Sequence, residues 1–316
     1  MVAARLLRLL SGDLTHSRTE RALDIVRRAT IHAMNVHAPP PTLWHYTDAQ
    51  GFLGIVTSSL LRFGDARFLN DRSERVYGER IISEVLSEEV TADTTGNTAA
   101  CHTLLSATLP DRLFVCSFSE TSEAISQWQR YGADGFGYCL GFDPRRLDDL
   151  FDEYDIFLKA MVYDVHEQRE LARKAIRMQV AAETKRKAAN GFMSDVLFAD
   201  TEIDHAKLLM KNPSFRDEKE WRCILRLLIQ NEQGEADGEQ TGNLREEYCP
   251  RGSYIKPFLA LPHHHQGAPR NKLPIVGVVC GPKLDGDLSI ATARRFLRSH
   301  GYDVSVLRSE LADVWR

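Results

Sequence analysis

Three separate segments of this 316-residue chain carry side chains whose types and positions could do chemistry on a small molecule. His45, in the segment WHYTD, ends a predicted strand, where a side chain can face a cleft. Tyr131 ends a predicted helix beside Gly132, and Glu220 lies at the entry of a predicted strand. A carboxylate in that position can stabilise a cationic transition state or orient a sugar hydroxyl. The three residues therefore predict a site for catalysis or binding, provided that the fold brings them together.

Each of these segments also has a plain structural interpretation. A single histidine is weak evidence for chemistry, and Trp128, which shares a helical face with Tyr131, fits ordinary aromatic packing against a sheet. Glu218 and Glu220 are two residues apart and would share one face of a strand. For Glu218 we expect a solvated edge charge that pairs with its basic neighbours, which are Lys211, Lys219 and Arg222. Glu220 is therefore the preferred catalytic carboxylate.

Several familiar catalytic and metal-binding patterns are missing from the sequence. It contains no G-x-S-x-G motif, no phosphate-binding loop and no H-E-x-x-H motif. The glycines of GADGFG lack the order of a dinucleotide fingerprint, and we predict that they form turns. The six cysteines form no C-x-x-C pair, and His263-His264-His265 has no cysteine or carboxylate at ligand spacing. We therefore predict no metal site.

The pattern of apolar residues predicts an α+β fold that must position these segments. Nine short apolar runs fit β-strands, and they cover residues 43–46, 59–63, 113–118, 136–142, 159–164, 221–228, 254–261, 275–281 and 303–307. Segments with helical spacing lie between some of these runs. They do not alternate regularly with the strands, which favours α+β over a doubly wound sheet.

The same patterns predict one main domain with two helical additions. Residues 1–41 are interpreted as an N-terminal helical arm that ends at a run of prolines, and residues 42–316 as a single α+β domain. Residues 166–212 are predicted to be a mainly helical insertion outside the sheet, because their apolar spacing is near 3.6 and their charge is high. The polar segments 91–99 and 231–247 are predicted surface loops.

Composition and charge bear on DNA binding, cellular location and membrane association. The net charge of -4 and the pI near 6.3 argue against binding duplex DNA by bulk charge alone. Cysteines inside apolar runs suit a reducing cytoplasm. No apolar run approaches the length of about 18 residues that a membrane helix needs, and Arg5 and Arg8 interrupt the N-terminal apolar segment. We expect a cytoplasmic protein without membrane association.

Taken together, the motifs resemble those of a widespread bacterial family that is known only as a domain of unknown function. The resemblance covers about residues 42–285 and rests on WHYTD, GFLGIV, FLND, SFSE, SQWxxYG, GxGxxLGFD, KNPSFxxExEWR and IVGVVCGP. The combination of motifs is specific, but the family supplies no activity.

The order of histidine, tyrosine and glutamate is similar to the His-Tyr-Glu signature of the ADP-ribosyltransferase superfamily, which includes DNA-modifying toxins of toxin-antitoxin systems. This resemblance implies a split β-sheet core with peripheral helices, and NAD as the substrate. It implies that His45 binds the NAD ribose, that Tyr131 stacks on the nicotinamide ring, and that Glu220 holds the nicotinamide ribose. It further assigns NAD contacts to Thr47, Ser117 and Trp128. The glycosidic bond of NAD would break through an oxocarbenium-like state that a carboxylate stabilises without a metal.

Departures from the superfamily pattern keep alternative assignments open. Two predicted helices separate Tyr131 from Glu220, and Tyr-Thr follows the histidine where many superfamily members have Gly-Thr. Tyr46 or Trp128 could therefore take the place of the tyrosine, and Glu218 that of the glutamate.

The resemblance implies an ADP-ribosyltransferase or NAD glycohydrolase that acts as a toxin or phage-defence effector. A protein or nucleic acid would be its target, and an antitoxin or another regulatory partner could control it. Two other interpretations stay open. One is a non-catalytic binding module of a defence system, in which the same motifs form a structural network of aromatic residues and ion pairs. The other is a metal-dependent hydrolase or nuclease that uses His45, Asp48, Asp71 and Glu220.

Overall fold

The chain divides into two compact units in a computed structural model. The structure describes residues 37–69, 72–92, 112–151, 154, 156–188, 203–227, 244, 246–251, 253–262 and 272–315. The first unit, called the sheet unit, comprises Ala38–Glu74, Pro110–Tyr163 and Lys211–Arg316. The second, called the helical unit, comprises Met1–His37, Arg75–Leu109 and Asp164–Met210.

Ten strands form one sheet within the described part of the sheet unit. They are β1 (Leu43–Thr47), β2 (Leu61–Asp65), β3 (Arg112–Ser119), β4 (Tyr138–Phe142), β5 (Phe157–Ala160), β6 (Glu220–Leu227), β7 (Glu246–Arg251), β8 (Tyr254–Leu261), β9 (Ile275–Cys280) and β10 (Ser305–Arg308). The strands pair in the order β10-β9-β4-β1-β3-β2-β8-β7, and β6 pairs with β3 and β5. All of these neighbouring strands are antiparallel except β9 and β10. The fold is therefore α+β with an open, mostly antiparallel sheet.

Seven α-helices accompany the sheet in the described residues. They are α1 (Ala49–Ser58), α2 (Arg72–Ala92), α3 (Ile125–Arg130), α4 (Pro144–Phe151), α5 (Val165–Ala188), α6 (203–209) and α7 (Gly286–Ser299). Short 3-10 helices cover Ala66–Phe68, Ala133–Gly135, Pro213–Glu218 and Glu310–Asp313. None of the helices in these ranges has both the length and the apolar character that crossing a lipid bilayer requires.

Two strands, β1 and β2, share one edge of β3 and pair with different parts of it. Strand β6 pairs with β3 along its whole length, from Arg112 to Ser119, and so occupies one edge of β3. On the other edge, β2 pairs with Phe114 and Val115, while β1 pairs with Ser119. Among the described residues, neither β1 nor β2 pairs with residues 116–118 of β3 on that edge. Strands β1 and β2 therefore diverge from each other along β3.

Alternation of side chains along the strands places helices on both faces of the sheet. On one face, Phe52 of α1 stacks on Tyr138 of β4, with ring centroids 4.5 Å apart, and meets Phe296 of α7 edge-on. On the opposite face, Trp128 of α3 packs edge-on against Tyr46 of β1 with centroids 4.9 Å apart. The aromatic pair Tyr46 and Trp128 thus holds α3 over β1.

Nine of the ten strands overlap the apolar runs of the sequence, and β7 is the exception. The predicted surface loop 231–247 is wrong for Glu246 and Glu247, which begin β7. Strand β7 is the last in the pairing order, and its Tyr248 is 64% exposed. An edge strand with charged residues and Pro250 has no alternating apolar pattern to reveal it.

The helical unit contains α5, α6 and residues 75–92 of α2. Tyr77 of α2 donates a 2.8 Å hydrogen bond to Gln168 of α5, and Arg169 and Arg173 of α5 form ion pairs with Glu88 of α2. Within the predicted helical segment 166–212, residues 166–188 and 203–209 are helical. Residues 189–202 of that segment lie outside the described residues, as do residues 1–36 of the predicted arm and most of the two predicted loops.

Candidate functional site

A cavity of about 170 Å³ lies in the sheet unit where β1 and β2 diverge. Its walls include His45 of β1, Ser117 of β3, Tyr131 after α3, and Glu218 and Glu220 beside β6. The fold therefore brings the three residues singled out as catalytic in the sequence to one place. Ligand pockets for drug-sized molecules typically measure about 300–1,000 Å³, so this cavity has room for one ring-sized group.

His45 is held in place by a backbone carbonyl of β3, that of Ser117. Its Nδ1 lies 2.9 Å from the carbonyl oxygen of Ser117, in the stretch that β1 and β2 leave unpaired. Burial lowers the pKa of His45 below its usual 6.5, although the hydrogen bond to Ser117 acts in the opposite direction. The imidazole is therefore neutral at pH 7, and because Nδ1 donates to Ser117, Nε2 carries the lone pair. In the described part of the chain no group is hydrogen-bonded to Nε2, which can accept a bond from a ligand.

Glu220 is a buried carboxylate that two cations contact. Arg222 Nε donates to Oε1 at 2.7 Å and Arg222 Nη2 to Oε2 at 3.1 Å, while Lys211 Nζ donates to Oε2 at 2.6 Å. Burial by itself would raise the pKa of Glu220, but the charges and hydrogen bonds of Arg222 and Lys211 outweigh it and lower the pKa to about 2. Glu220 is therefore ionised throughout the physiological pH range.

Glu218 belongs to the same ion-pair network. It is only 2% exposed, and it forms ion pairs with Lys211 and with Arg130, whose Nη1 lies 2.7 Å from Oε1. The prediction of a solvated edge charge is therefore wrong, although the predicted pairing with Lys211 is confirmed. The sequence spacing could not reveal this burial, because Arg130 comes from α3, 88 residues away.

Local backbone structure explains why Glu218 and Glu220 reach one lysine. The side chain of Asn212 accepts a 3.0 Å hydrogen bond from Ser214 N and begins the 3-10 helix Pro213–Glu218. Lys219 then adopts the left-handed conformation, with φ 43° and ψ 51°. Glu218 therefore ends a helix instead of sharing a strand with Glu220, and the predicted common strand face is wrong. The turn at Lys219 brings the two carboxylates to Lys211.

Helix α3 brings two side chains to the cavity. Its fixed position comes from Tyr46, whose hydroxyl donates to Thr121 O at 2.8 Å and accepts from Ala124 N at 3.0 Å. Tyr131 lines the cavity and is 39% exposed. Gln127, one helical turn earlier, also lines the cavity and is 7% exposed. Sequence reasoning missed Gln127, although its spacing of four residues from Tyr131 places both on one helical face.

The structure places two of the proposed NAD contacts away from the cavity. Trp128 is fully buried, packs on Tyr46, and donates its indole N–H to Ser122 O at 3.0 Å. The hydroxyl of Thr47 lies against Gly51 of α1. Neither Trp128 nor Thr47 is among the cavity-lining residues, whereas Ser117 is. Tyr46 also lines the cavity, but its hydroxyl already bonds the segment before α3.

The cavity wall contains two cationic side chains, Arg62 and Lys256, and two carboxylates, Glu218 and Glu220. The two carboxylates form ion pairs with Arg130, Lys211 and Arg222. Arg62 and Lys256 can therefore attract negative charge on a ligand that also carries a neutral ring-sized group.

The geometry gives no support to the metal-dependent interpretation. Within the described ranges, no group of three or more histidine, cysteine, aspartate or glutamate side chains is placed to hold a metal ion. The carboxylate of Asp48 accepts a 2.7 Å hydrogen bond from Gly51 N and caps α1. Asp71 lies outside the described residues.

Comparison with known proteins gives a match to one family over part of the chain. No curated protein and no solved structure matches the chain. Residues 127–223 match the model of a family described as a protein of unknown function, DUF2971. The matched region lies inside the wider resemblance expected over residues 42–285, and it contains Gln127, Tyr131, Glu218 and Glu220 but not His45. Over this region the chain is similar to the DUF2971 family.

Proposed function

We propose that the protein is an NAD-using enzyme, either an ADP-ribosyltransferase or an NAD glycohydrolase. The observation that carries the proposal is that His45, Tyr131 and Glu220 line one cavity. A site assembled from three distant segments supports a shared chemical role more strongly than three isolated motifs do. The divergence of β1 and β2 from each other along β3 also fits the split sheet that the ADP-ribosyltransferase resemblance implies.

The proposed reaction breaks the bond between nicotinamide nitrogen and ribose carbon. The bonding electrons leave with the nitrogen, which becomes neutral, while the ribose becomes an oxocarbenium ion. Water or a nucleophile of the target then adds to that carbon and releases a proton. The ionised Glu220 would stabilise the positive charge as it develops.

The hydrogen-bonding capacity of Glu220 leaves room for this role. A carboxylate has about four lone-pair positions, and Arg222 and Lys211 take three. The remaining position, on Oε1, can accept a bond from a ribose hydroxyl. The cations thus fix the carboxylate and keep it ionised without using all its capacity.

Cavity size and charge suggest how NAD would lie. The nicotinamide ring would enter the cavity of about 170 Å³ and stack on Tyr131, while His45 Nε2 would accept a hydrogen bond from ribose. The diphosphate would remain outside, near Arg62 and Lys256. The proposed toxin or defence role, the macromolecular target, the regulatory partner and the cytoplasmic location rest on the sequence resemblance and composition alone.

The test is nicotinamide release from NAD by purified wild type and two matched variants, Glu220→Gln and Glu218→Gln. Both substitutions keep size and remove one charge. We expect Glu220→Gln to lose about 100-fold or more in rate, because one electrostatic contribution to a transition state commonly has that effect. Glu218→Gln should retain much more activity, since the proposed contact with ribose is made by Glu220, whereas the oxygens of Glu218 contact Arg130 and Lys211. Thermal melts control for unfolding, and full activity of Glu220→Gln would refute its assigned role.

A second candidate, a non-catalytic binding module, is favoured by one observation. Both oxygens of Glu220 contact cations, as a purely structural ion-pair network would require. Such a module would bind NAD or another anionic ligand and leave it intact, even when cell lysate is added as a source of targets. Binding without consumption under those conditions would make this the better interpretation.

A further inference from the structure

Gln127 is a largely buried residue in the wall of the cavity. The residue is 7% exposed and lines the cavity wall. Its backbone carbonyl accepts hydrogen bonds from Tyr131 and Gly132 within the helix, but its side-chain amide forms no hydrogen bond with any residue that the structure describes. A polar group in a cavity wall that bonds to no protein group can bond to water or to a ligand. The amide of Gln127 is therefore available to a ligand in the cavity.

The surroundings of Gln127 set which part of a ligand it can reach. Gln127 and Tyr131 project from one face of α3, but Tyr131 is 39% exposed and Gln127 is nearly buried. A ring stacked on Tyr131 would therefore direct a substituent inward to Gln127. The neighbouring Trp128 is fully buried and hydrogen-bonded to Ser122, so α3 cannot easily turn Gln127 away.

From this placement we propose that Gln127 selects the carboxamide of nicotinamide, an inference that rests on the function proposed above. A primary amide offers one acceptor and two donors, and a second primary amide matches it with two reciprocal hydrogen bonds. A carboxylate has only acceptors, so one of its oxygens would lie against the carbonyl oxygen of Gln127 and be repelled by it. Gln127 is thus a specificity-determining residue for nicotinamide against nicotinic acid.

Calorimetric titration of the full chain with nicotinamide and with nicotinic acid tests this proposal. The variants are Gln127→Met, which keeps the length and removes the amide, and Gln129→Met, a matched control at an exposed position of the same helix. We expect wild type and Gln129→Met to bind nicotinamide at least about tenfold more tightly than nicotinic acid, because an unmatched polar group in a binding site is strongly disfavoured. Gln127→Met should bind the two within about twofold of each other.

Two further measurements keep the result interpretable. Gln127→Met should melt near the wild-type temperature, because the amide that it removes bonds to no residue that the structure describes. If it is unfolded, Gln127→Glu replaces it: this variant cannot donate to the carbonyl of nicotinamide and should bind it about tenfold more weakly. An unchanged preference in the folded Gln127 variant, or no preference in wild type, would overturn the proposal.

Failure of the proposed function gives a different pattern. If wild type prefers nicotinamide through Gln127 but leaves NAD intact, the enzymatic proposal fails and the assignment of Gln127 is supported. If wild type consumes NAD, and Gln127→Met still discriminates NAD from its nicotinic acid analogue as well as wild type does, the assignment of Gln127 is overturned and the enzymatic proposal remains.

Discussion

At the scale of single residues, the state of Glu220 depends on its neighbours and not on solvent. An isolated carboxylate at this depth would favour its protonated form. Lys211 and Arg222 reverse that preference and hold the pKa near 2. The charge of Glu220 therefore has a cause that its own segment only partly contains, because Lys211 lies nine residues earlier.

This lowered pKa predicts how stability responds to acid. The folded pKa of about 2 lies below the usual 4.5, so Glu220 stabilises the fold above pH 4.5 and loses that contribution as the pH falls toward 2. Between pH 5 and pH 2.5 we expect wild type to lose about 2–3 kcal/mol more free energy of unfolding than Glu220→Gln. Urea denaturation at both pH values measures the difference.

The matched control for the acid experiment is Glu247→Gln, at an exposed position of β7. It should show the same pH dependence as wild type. Identical pH dependence in wild type and Glu220→Gln would contradict the ionised state assigned to Glu220.

At the scale of elements, a close-packed turn holds the end of α3 beside β1. Gly137 N donates to Gly132 O at 2.9 Å, and Gly137 O accepts from Gly281 N at 2.9 Å. A Cβ on Gly137 would lie 2.2 Å from the carbonyl oxygen of Thr47. This turn follows Tyr131 directly, so its close approach to β1 fixes the position of Tyr131 at the cavity.

Gly137→Ala tests the importance of this close approach. We expect the variant to lose about 1–3 kcal/mol of stability, because backbone atoms must move to admit the methyl group. Gly54→Ala is the control, since Gly54 lies inside α1 and a Cβ there would meet nothing within 4 Å. That change should stabilise the protein by about 0.5–1 kcal/mol. Thermal or urea unfolding of both variants measures these effects. A Gly137→Ala variant as stable as wild type would show that the turn accommodates the methyl group without cost.

At the scale of the whole molecule, the net charge does not describe the charges at the cavity. The chain carries a net charge of -4, yet two cationic side chains, Arg62 and Lys256, lie in the cavity wall. Under the proposed function, binding of the NAD diphosphate would depend on this local field, which salt screens over about 8–10 Å at physiological ionic strength. The acidic composition that argued against bulk-charge binding of DNA does not exclude an anionic small molecule.

The salt dependence of affinity distinguishes binding of the charged diphosphate of NAD from binding of its nicotinamide. We expect the affinity for NAD to fall severalfold between about 50 and 300 mM NaCl, while the affinity for uncharged nicotinamide changes by less than about twofold. Lys256→Gln should weaken NAD binding and reduce its salt dependence without affecting nicotinamide. Calorimetric titration at both salt concentrations is the measurement, and equal salt dependence for the two ligands would contradict a phosphate contact at Arg62 and Lys256.

The sequence by itself determined the α+β class, the approximate positions of nine strands, and the residue types at the centre of the site. These features follow from local patterns: apolar alternation marks a buried strand, and the chemistry of His45, Tyr131 and Glu220 belongs to the side chains themselves. The sequence did not predict strand β7, because exposure at the sheet edge removes the apolar alternation on which strand prediction depends.

Only the tertiary structure decided which side chains meet and in what charge state. Arg130 reaches Glu218 across 88 residues, and the burial of Gln127 depends on how Tyr46 and Trp128 seat α3 on the sheet. The divergence of β1 and β2 along β3 likewise depends on pairings between distant segments. Because ion pairing, burial and strand pairing are set by contacts between residues far apart in the chain, the spacing of residues within one segment does not contain them.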